Sequence, residues 1–154
     1  MKKSIGIDIG TSSIKIIELL NKKGQLEIVK ALTWPIKTDD LKSSLKEAIE
    51  SVKLSSRHIN TSLSGQSVIV RYIEMPLMKM DELRSAIKFE AEKYISFDIN
   101  DAIIDCAMLD KIGPSTQRVL LAVAKKDKVG NYVGIFKELG LEIDVVDIDS
   151  FALF

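Results

Sequence analysis

The sequence has a single cysteine among its 154 residues, so Cys106 cannot close an internal disulfide and has no partners for a zinc site. It alternates with Ile104 and Met108, which predicts a buried thiol in a strand. An excess of either charge is also missing. The 22 basic and 22 acidic side chains cancel, which argues against a nucleic-acid partner and against a polybasic membrane patch. Long hydrophobic runs are absent: the longest clean one, Val119 to Ala124, falls far short of the ~20 residues a spanning helix needs. Met-Lys-Lys leads directly into a strand pattern, with no secretory apolar segment and no small-residue cleavage site. A cytosolic protein without direct membrane insertion is the expectation. Histidine is nearly missing too. His58 stands alone in Ser55-Ser56-Arg57-His58, with no second histidine or nearby carboxylate cluster, and reads as a solvated loop residue. Repeats, low-complexity stretches and long linkers are not found.

Apolar residues make up 46% and charged residues 29%, as in ordinary soluble globular proteins. The length suits one domain or two small subdomains and allows burial of ~70% of the unfolded surface. Ile5, Ile7 and Ile9 alternate with Gly6 and Asp8, a strand pattern that Gly10-Thr11-Ser12 breaks. A second strand runs from Ser13 to Leu20, and Asn21-Lys22-Lys23-Gly24 is a turn into a third, Leu26 to Trp34. These form an antiparallel meander, and apolar residues on both faces of the second strand predict that both faces are covered. Pro35 stops the third strand. Thr38 can cap a helix beginning at Asp39, with Leu41, Leu45, Ala48, Ile49 and Val52 at helical spacing. A short strand, Asn60 to Leu63, ends at Ser64-Gly65. Strand Ser67 to Glu74, terminated by Pro76, precedes a helix from Met80 to Ile95. Strands Ala102 to Leu109 and Gln117 to Ala124 follow, and together these four elements make a compact unit. A last helix, Lys126 to Leu139, is capped by a left-handed Gly140, and Glu142 to Ile148 is the closing strand. Asp149-Ser150 offers a cap for a helix of which only Phe151-Ala152-Leu153-Phe154 is present, and this apolar stub predicts truncation and self-association.

The stretch Gly6-Ile7-Asp8-Ile9-Gly10-Thr11-Ser12-Ser13-Ile14-Lys15 carries the most chemistry. Gly10 allows a close backbone approach to a ligand and dihedrals closed to other residues. Successive amides in such a turn can converge on a phosphate oxygen, and Thr11, Ser12 and Ser13 add hydroxyl donors. Lys15 brings a positive charge on the returning strand. Asp8 is placed to hold Mg²⁺, through waters, because magnesium dehydrates reluctantly.

Asp8-x-Gly10-Thr11-Ser12-Ser13-x-Lys15 resembles the first phosphate motif of the actin, heat-shock chaperone and sugar-kinase superfamily. The strand-helix-strand-strand unit at 67–124 resembles the inserted subdomain of FtsA and PilM proteins. Gly65-Gln66-Ser67-Val68-Ile69-Val70-Arg71 is similar to the PilM family of type IV pilus assembly proteins. So are Leu83-Arg84-x-Ala86-Ile87-Lys88-Phe89-Glu90-Ala91-Glu92-Lys93-Tyr94-Ile95, Leu121-x-Val123-Ala124-Lys125-Lys126 and Val145-Val146-Asp147-Ile148-Asp149-Ser150-Phe151-Ala152-Leu153. The resemblance implies an α/β fold, the first domain of an actin-like (ribonuclease H-like) ATPase with an inserted subdomain. It divides the chain into a first subdomain at 1–66, the insertion at 67–142 and a return strand at 143–154. It implies ATP and Mg²⁺ as ligands of the full-length protein, with phosphate contacts from Gly10, Thr11, Ser12, Ser13 and Lys15 and the metal at Asp8. ATPase activity would be weak at most, and absent from this half of the cleft. The implied partner is the amino-terminal segment of PilN, bound in a groove between the first two subdomains, with the protein held at the inner membrane through that partner. An FtsA-like division protein shares the loop and the insertion, but the 83–95 segment favours PilM. Ser96 stands where PilM proteins usually have proline.

Other residues read as structural. Trp34 is a strand-end core anchor. Met75, Met78 and Met80 offer an adaptable peptide-binding surface or, the favoured reading, packing beneath the 80–95 helix, and Glu90, Glu92 and Lys93 form a solvated face.

Overall fold

Cross-strand isoleucines organise the amino-terminal half. Ile7 lies opposite Ile16, and Ile9 opposite Ile14, in the antiparallel pair of β1 (Lys2–Ile9) with β2 (Ser13–Lys22). A two-residue turn, with Lys23 at φ 54° and Gly24 at φ 92°, leads into β3 (Gln25–Pro35). Two successive positive φ angles give the turn whose twist matches a tight hairpin. This computed structural model describes residues 2–37, 40–63, 67–149 and 151. The chain continues through α1 (Leu41–Val52), β4 (His58–Leu63), β5 (Val68–Pro76), α2 (Met80–Ala91), β6 (Ala102–Lys111), β7 (Thr116–Lys125), α3 (Lys126–Glu138) and β8 (Glu142–Ile148). It divides into two units, Met1–Ser64 with Tyr132–Phe154, and Gly65–Asn131. Among the described residues no helix is long and apolar enough to cross a membrane.

The first unit is a five-stranded sheet in the order β3-β2-β1-β4-β8. β1 to β3 are antiparallel, while β1, β4 and β8 run parallel. One face packs on α1 and α3. Ile5, Ile7, Ile14, Ile16 and Ile59 from the sheet meet Leu45, Ala48 and Ile49 of α1 and Phe136 of α3, all buried. The parallel β1–β4 ladder is brief, and side chains extend it. Thr61 donates its hydroxyl to the Ile7 carbonyl at 2.8 Å, and the Asn60 amide donates to the Ile5 carbonyl at 3.3 Å. The Tyr132 hydroxyl sits 2.7 Å from the Thr61 hydroxyl and 2.9 Å from the Ser62 carbonyl.

Glu18 is the charged exception in this core. Its carboxylate is shut off from solvent, accepting from the Ser55 hydroxyl at 2.6 Å and from Lys3 at 2.9 Å, with Lys30 at 3.4 Å. The Ser55 hydrogen bond and then the Lys3 ammonium hold its pKa down to about 2, against the cost of burial. One side chain thus ties β1, β2, β3 and the loop after α1.

Several helix boundaries differ from the sequence reading. Thr38 and Asp39 lie outside the described residues, as do Gly65, Gln66, Ser150 and the stub residues 152–154. The α1 cap is Asp40, whose carboxylate accepts from the Lys42 and Ser43 amides. A short acidic side chain at this position satisfies amides that the first helical turn leaves free. The carboxyl end of α3 follows expectation. Gly140 has φ 70°, its amide donates to Lys137, and the Leu141 amide donates to Phe136, the paired bonds of a glycine-terminated helix. The second unit ends at Asn131, and Phe136 and Leu141 are buried in the core of the first unit.

The second unit has the element order strand, helix, strand, strand, with sheet order β5-β7-β6, all antiparallel. α2 lays Leu83, Ile87 and Ala91 on Ile73, Met75, Val119, Leu121 and Val123. It ends at Ala91, short of Ile95, and tightens into a 3₁₀ turn at Glu92–Tyr94. Met75 is buried, with Met78 and Met80 packed against the same core. Lys93 pairs with Glu90 on the solvated face at 2.7 Å. Cys106 is half-buried against this core, and burial pushes its thiol pKa up.

Candidate functional site

The sequence predicts cover on both faces of β2, but α1 and α3 pack on the same face of the sheet. On the other face no described element of the first unit lies over β2: Lys15 is exposed and Ile17 half-buried. Strand alternation decides what appears there. Asp8, Ser62 and Asp147 are each the penultimate residue of a parallel strand, before Ile9, Leu63 and Ile148. Lys15 lies opposite Asp8, and Thr33 opposite Lys15. A polar row Thr33, Lys15, Asp8, Ser62, Asp147 therefore crosses all five strands. Two residues back, register aligns Ala31, Ile17, Gly6, Asn60 and Val145. Both rows line one cleft of 680 Å³. The polar row marks the carboxyl ends of the parallel strands, where open α/β sheets bind their ligands.

Gly6 forms the low point of this floor. A Cβ there would stand 3.3 Å from Cγ2 of Ile17 and would project from the face that the cleft occupies.

Asp8 and Lys15, the proposed metal and phosphate residues, come together as an ion pair at 2.9 Å and both line the cleft. Gly10, Thr11, Ser12 and Ser13 form the hairpin end and are not among the lining residues. The Gly10 amide is already used, donating to the Ser13 carbonyl at 2.9 Å, so it is not part of an open amide nest. Nor does Gly10 take a positive φ. Its glycine identity answers to a close approach: a Cβ would lie 3.2 Å from the Ser13 carbonyl oxygen. Thr11 and Ser12 are exposed at the tip, and the Ser12 carbonyl accepts from the Ile36 amide, tying the tip to the end of β3.

Beneath the sheet, burial raises the Tyr132 phenol pKa; the Thr61 hydrogen bond opposes that rise and the charge of Asp8 adds to it. Among the described residues no three His, Cys, Asp or Glu groups gather to hold a metal outright. A magnesium ion at Asp8 would accordingly keep most of its waters.

Sequence reasoning missed Thr33, Asn60, Ser62 and Asp147. A signal for two of them was present: Asp8-Ile9, Ser62-Leu63 and Asp147-Ile148 repeat one polar-then-apolar strand ending. His58 needs correction. It opens β4 and is no loop residue, and Nδ1 lies 2.9 Å from Asp144 with Nε2 3.5 Å from Glu142, both on the neighbouring β8. The Asp144 hydrogen bond, then the two carboxylate charges, raise its pKa. Trp34 packs against the core as expected, with the Lys37 ammonium 5.6 Å from its ring centre.

The profile of the type IV pilus assembly protein PilM family matches residues 6–154. The chain belongs to the PilM family. A solved PilM–PilN type IV pilus biogenesis complex shares 26% identity with it at a TM-score of 0.87, over 97% of this chain and 48% of that one. The cytoplasmic domain of EpsL, an inner-membrane component of the type II secretion system of Vibrio cholerae, shares 18% identity at a TM-score of 0.64. That alignment covers 95% of this chain and 57% of the EpsL chain, and it speaks to the fold alone. This PilM-family chain thus spans about half the length of the structures it matches. The mixed α/β fold that the resemblance implies is the fold found, and it is shared with the PilM–PilN structure.

Proposed function

We propose that the polar row on the five-stranded sheet is the phosphate and metal half of an ATP site, in a protein that scaffolds type IV pilus assembly by binding PilN. The observation that carries the nucleotide reading is the cleft lined by Lys15, Asp8 and Asp147, with the Cβ-free Gly6 beside them. The residues present fit the ligand. The missing Cβ at Gly6 leaves room for a phosphate, Lys15 and the hydroxyls of Thr33 and Ser62 offer donors, and the carboxylates of Asp8 and Asp147 offer oxygens to magnesium. Bound Mg²⁺ would offset phosphate charge. Lys15 would orient the phosphate by charge, and Asp8 would hold the metal. Adenine and ribose contacts come from outside this chain on this reading, since an exposed face alone encloses too little of a ligand. The partner is carried over from the solved PilM–PilN complex, and a cytoplasmic position at the inner membrane is what the family resemblance implies.

Calorimetry with MgATP on the full-length protein tests this. Lys15→Ala should weaken binding about ten- to hundred-fold, the worth of one charge-assisted contact, with unchanged folding. Equal binding by both proteins would remove Lys15 from the site.

A further inference from the structure

Asp8 and Lys15 form one cross-strand pair, and their side chains meet at 2.9 Å. A bound metal–phosphate needs each of them separately, the ammonium for phosphate and the carboxylate for the cation. While they hold each other, neither charge is available, and the carboxylate sets negative charge where an anion must arrive.

We infer that the Asp8–Lys15 pair is a latch that makes phosphate binding at this face depend on a divalent cation, an inference that rests on the nucleotide reading above. A cation taken by Asp8 competes with the ammonium for the same carboxylate oxygens. Lys15, on the adjacent strand and lining the same cleft, then turns its charge to the phosphate. Asp147 lies in the same row with its carboxylate accepting the Ile148 amide at 2.7 Å, and it adds negative potential that draws a cation in. Linkage makes the effect mutual: cation and phosphate each raise the affinity of the other by one shared factor. That factor is modest. The two side chains are 59% and 45% exposed, and an exposed pair is worth at most about five-fold in an equilibrium constant.

The test is calorimetric titration of ADP and of inorganic pyrophosphate into the full-length protein, in EDTA and in Mg²⁺. Complexes of magnesium with either probe in solution are common to every variant, so ratios between variants isolate the protein. Asp8→Asn keeps the shape and removes the charge. It should bind both probes about three- to five-fold more tightly than the parent in EDTA, and gain less from magnesium. In a Lys15→Gln background the same change should gain less, since no lysine remains to be released. That non-additivity separates a latch from simple repulsion by Asp8. Magnesium alone should also shift the Lys15 ammonium NMR signal in the parent and not in Asp8→Asn. A parent that binds MgADP, with an Asp8→Asn variant no tighter in EDTA or equally improved in both backgrounds, overturns the latch and leaves the site standing. Absence of ADP and pyrophosphate binding to the parent in magnesium overturns the nucleotide reading and the latch together.

Discussion

Ile7 in the five-stranded sheet and Val119 in the three-stranded sheet are both buried beneath helices. One residue further along each strand the two sheets part company. Asp8 belongs to a row of two carboxylates, a lysine and two hydroxyls. Leu120 sits between Tyr72 and Ala107, beside Val70 and Ala122, on a face whose centre is apolar, with Tyr72 67% exposed and Glu74, Arg118 and Asp105 around it. Strand periodicity hides one set of alternants in both units and leaves the other set free to specialise. In the first unit that free set presents hydroxyls, an ammonium and two carboxylates, the groups on which the proposed nucleotide site rests. In the second it provides a mainly apolar centre, with Glu74 facing Arg118 across β5 and β7 and, among the described residues, no row of polar groups crossing the sheet.

The sharpest way to break this comparison is to damage one core and watch the other. Phe136 is fully buried in the first unit. Phe136→Ala should cost about 3–5 kcal/mol, and hydrogen exchange should rise in β1, β2 and β4 more than in β5 to β7. Equal loosening of both sheets would show that the units do not divide at Asn131.

Glu18 ranks next. Its folded pKa, about 2, is depressed from 4.5. The stabilisation it gives is therefore complete above about pH 4.5 and fades as pH falls toward 2. Glu18→Gln should lose about 1–3 kcal/mol at neutral pH, and its urea-unfolding curve should fall less steeply than the parent's between pH 4.5 and 2. Parallel pH profiles for the two proteins would show that the Lys3, Lys30 and Ser55 contacts contribute nothing.

Much of this was legible along the chain. The meander, the helical stripe on α1, the left-handed Gly140 and the strand Glu142–Ile148 all follow from local periodicity and turn chemistry. So does the meeting of Asp8 with Lys15, because an antiparallel hairpin fixes its own register. What local pattern does not contain is adjacency between distant strands. Ser62 and Asp147 join the site only because β1, β4 and β8 lie side by side. His58 acquires Asp144, 86 residues away, for the same reason. Nor does local pattern show that α3, which reads as one amphipathic helix, gives its second half to the core of the first unit. The Gly10 amide was misjudged because glycine in a turn suggests unusual dihedrals, while here the constraint is space beside the Ser13 carbonyl.

The smallest expected effect concerns His58. Its pKa is raised from 6.5, so the protonated ring's stabilisation is full below that value and is lost as pH rises through the higher folded value. Both carboxylate partners and the ring are exposed, so about 1 M salt should largely abolish the shift. An NMR titration of the His58 ring at low and high salt checks this, and a titration identical to that of free histidine at low salt would contradict it.

The central claim is that the row across the five-stranded sheet, and not the exposed face of the three-stranded one, meets the nucleotide. Amide NMR mapping with MgADP on the full-length protein tests it most directly. The largest shifts should fall at Gly6, Asp8, Lys15, Ser62 and Asp147, with β5 to β7 unchanged. Shifts centred on Val70, Tyr72 and Leu120, or bound nucleotide that leaves Lys15 and Asp8 undisturbed, would contradict it.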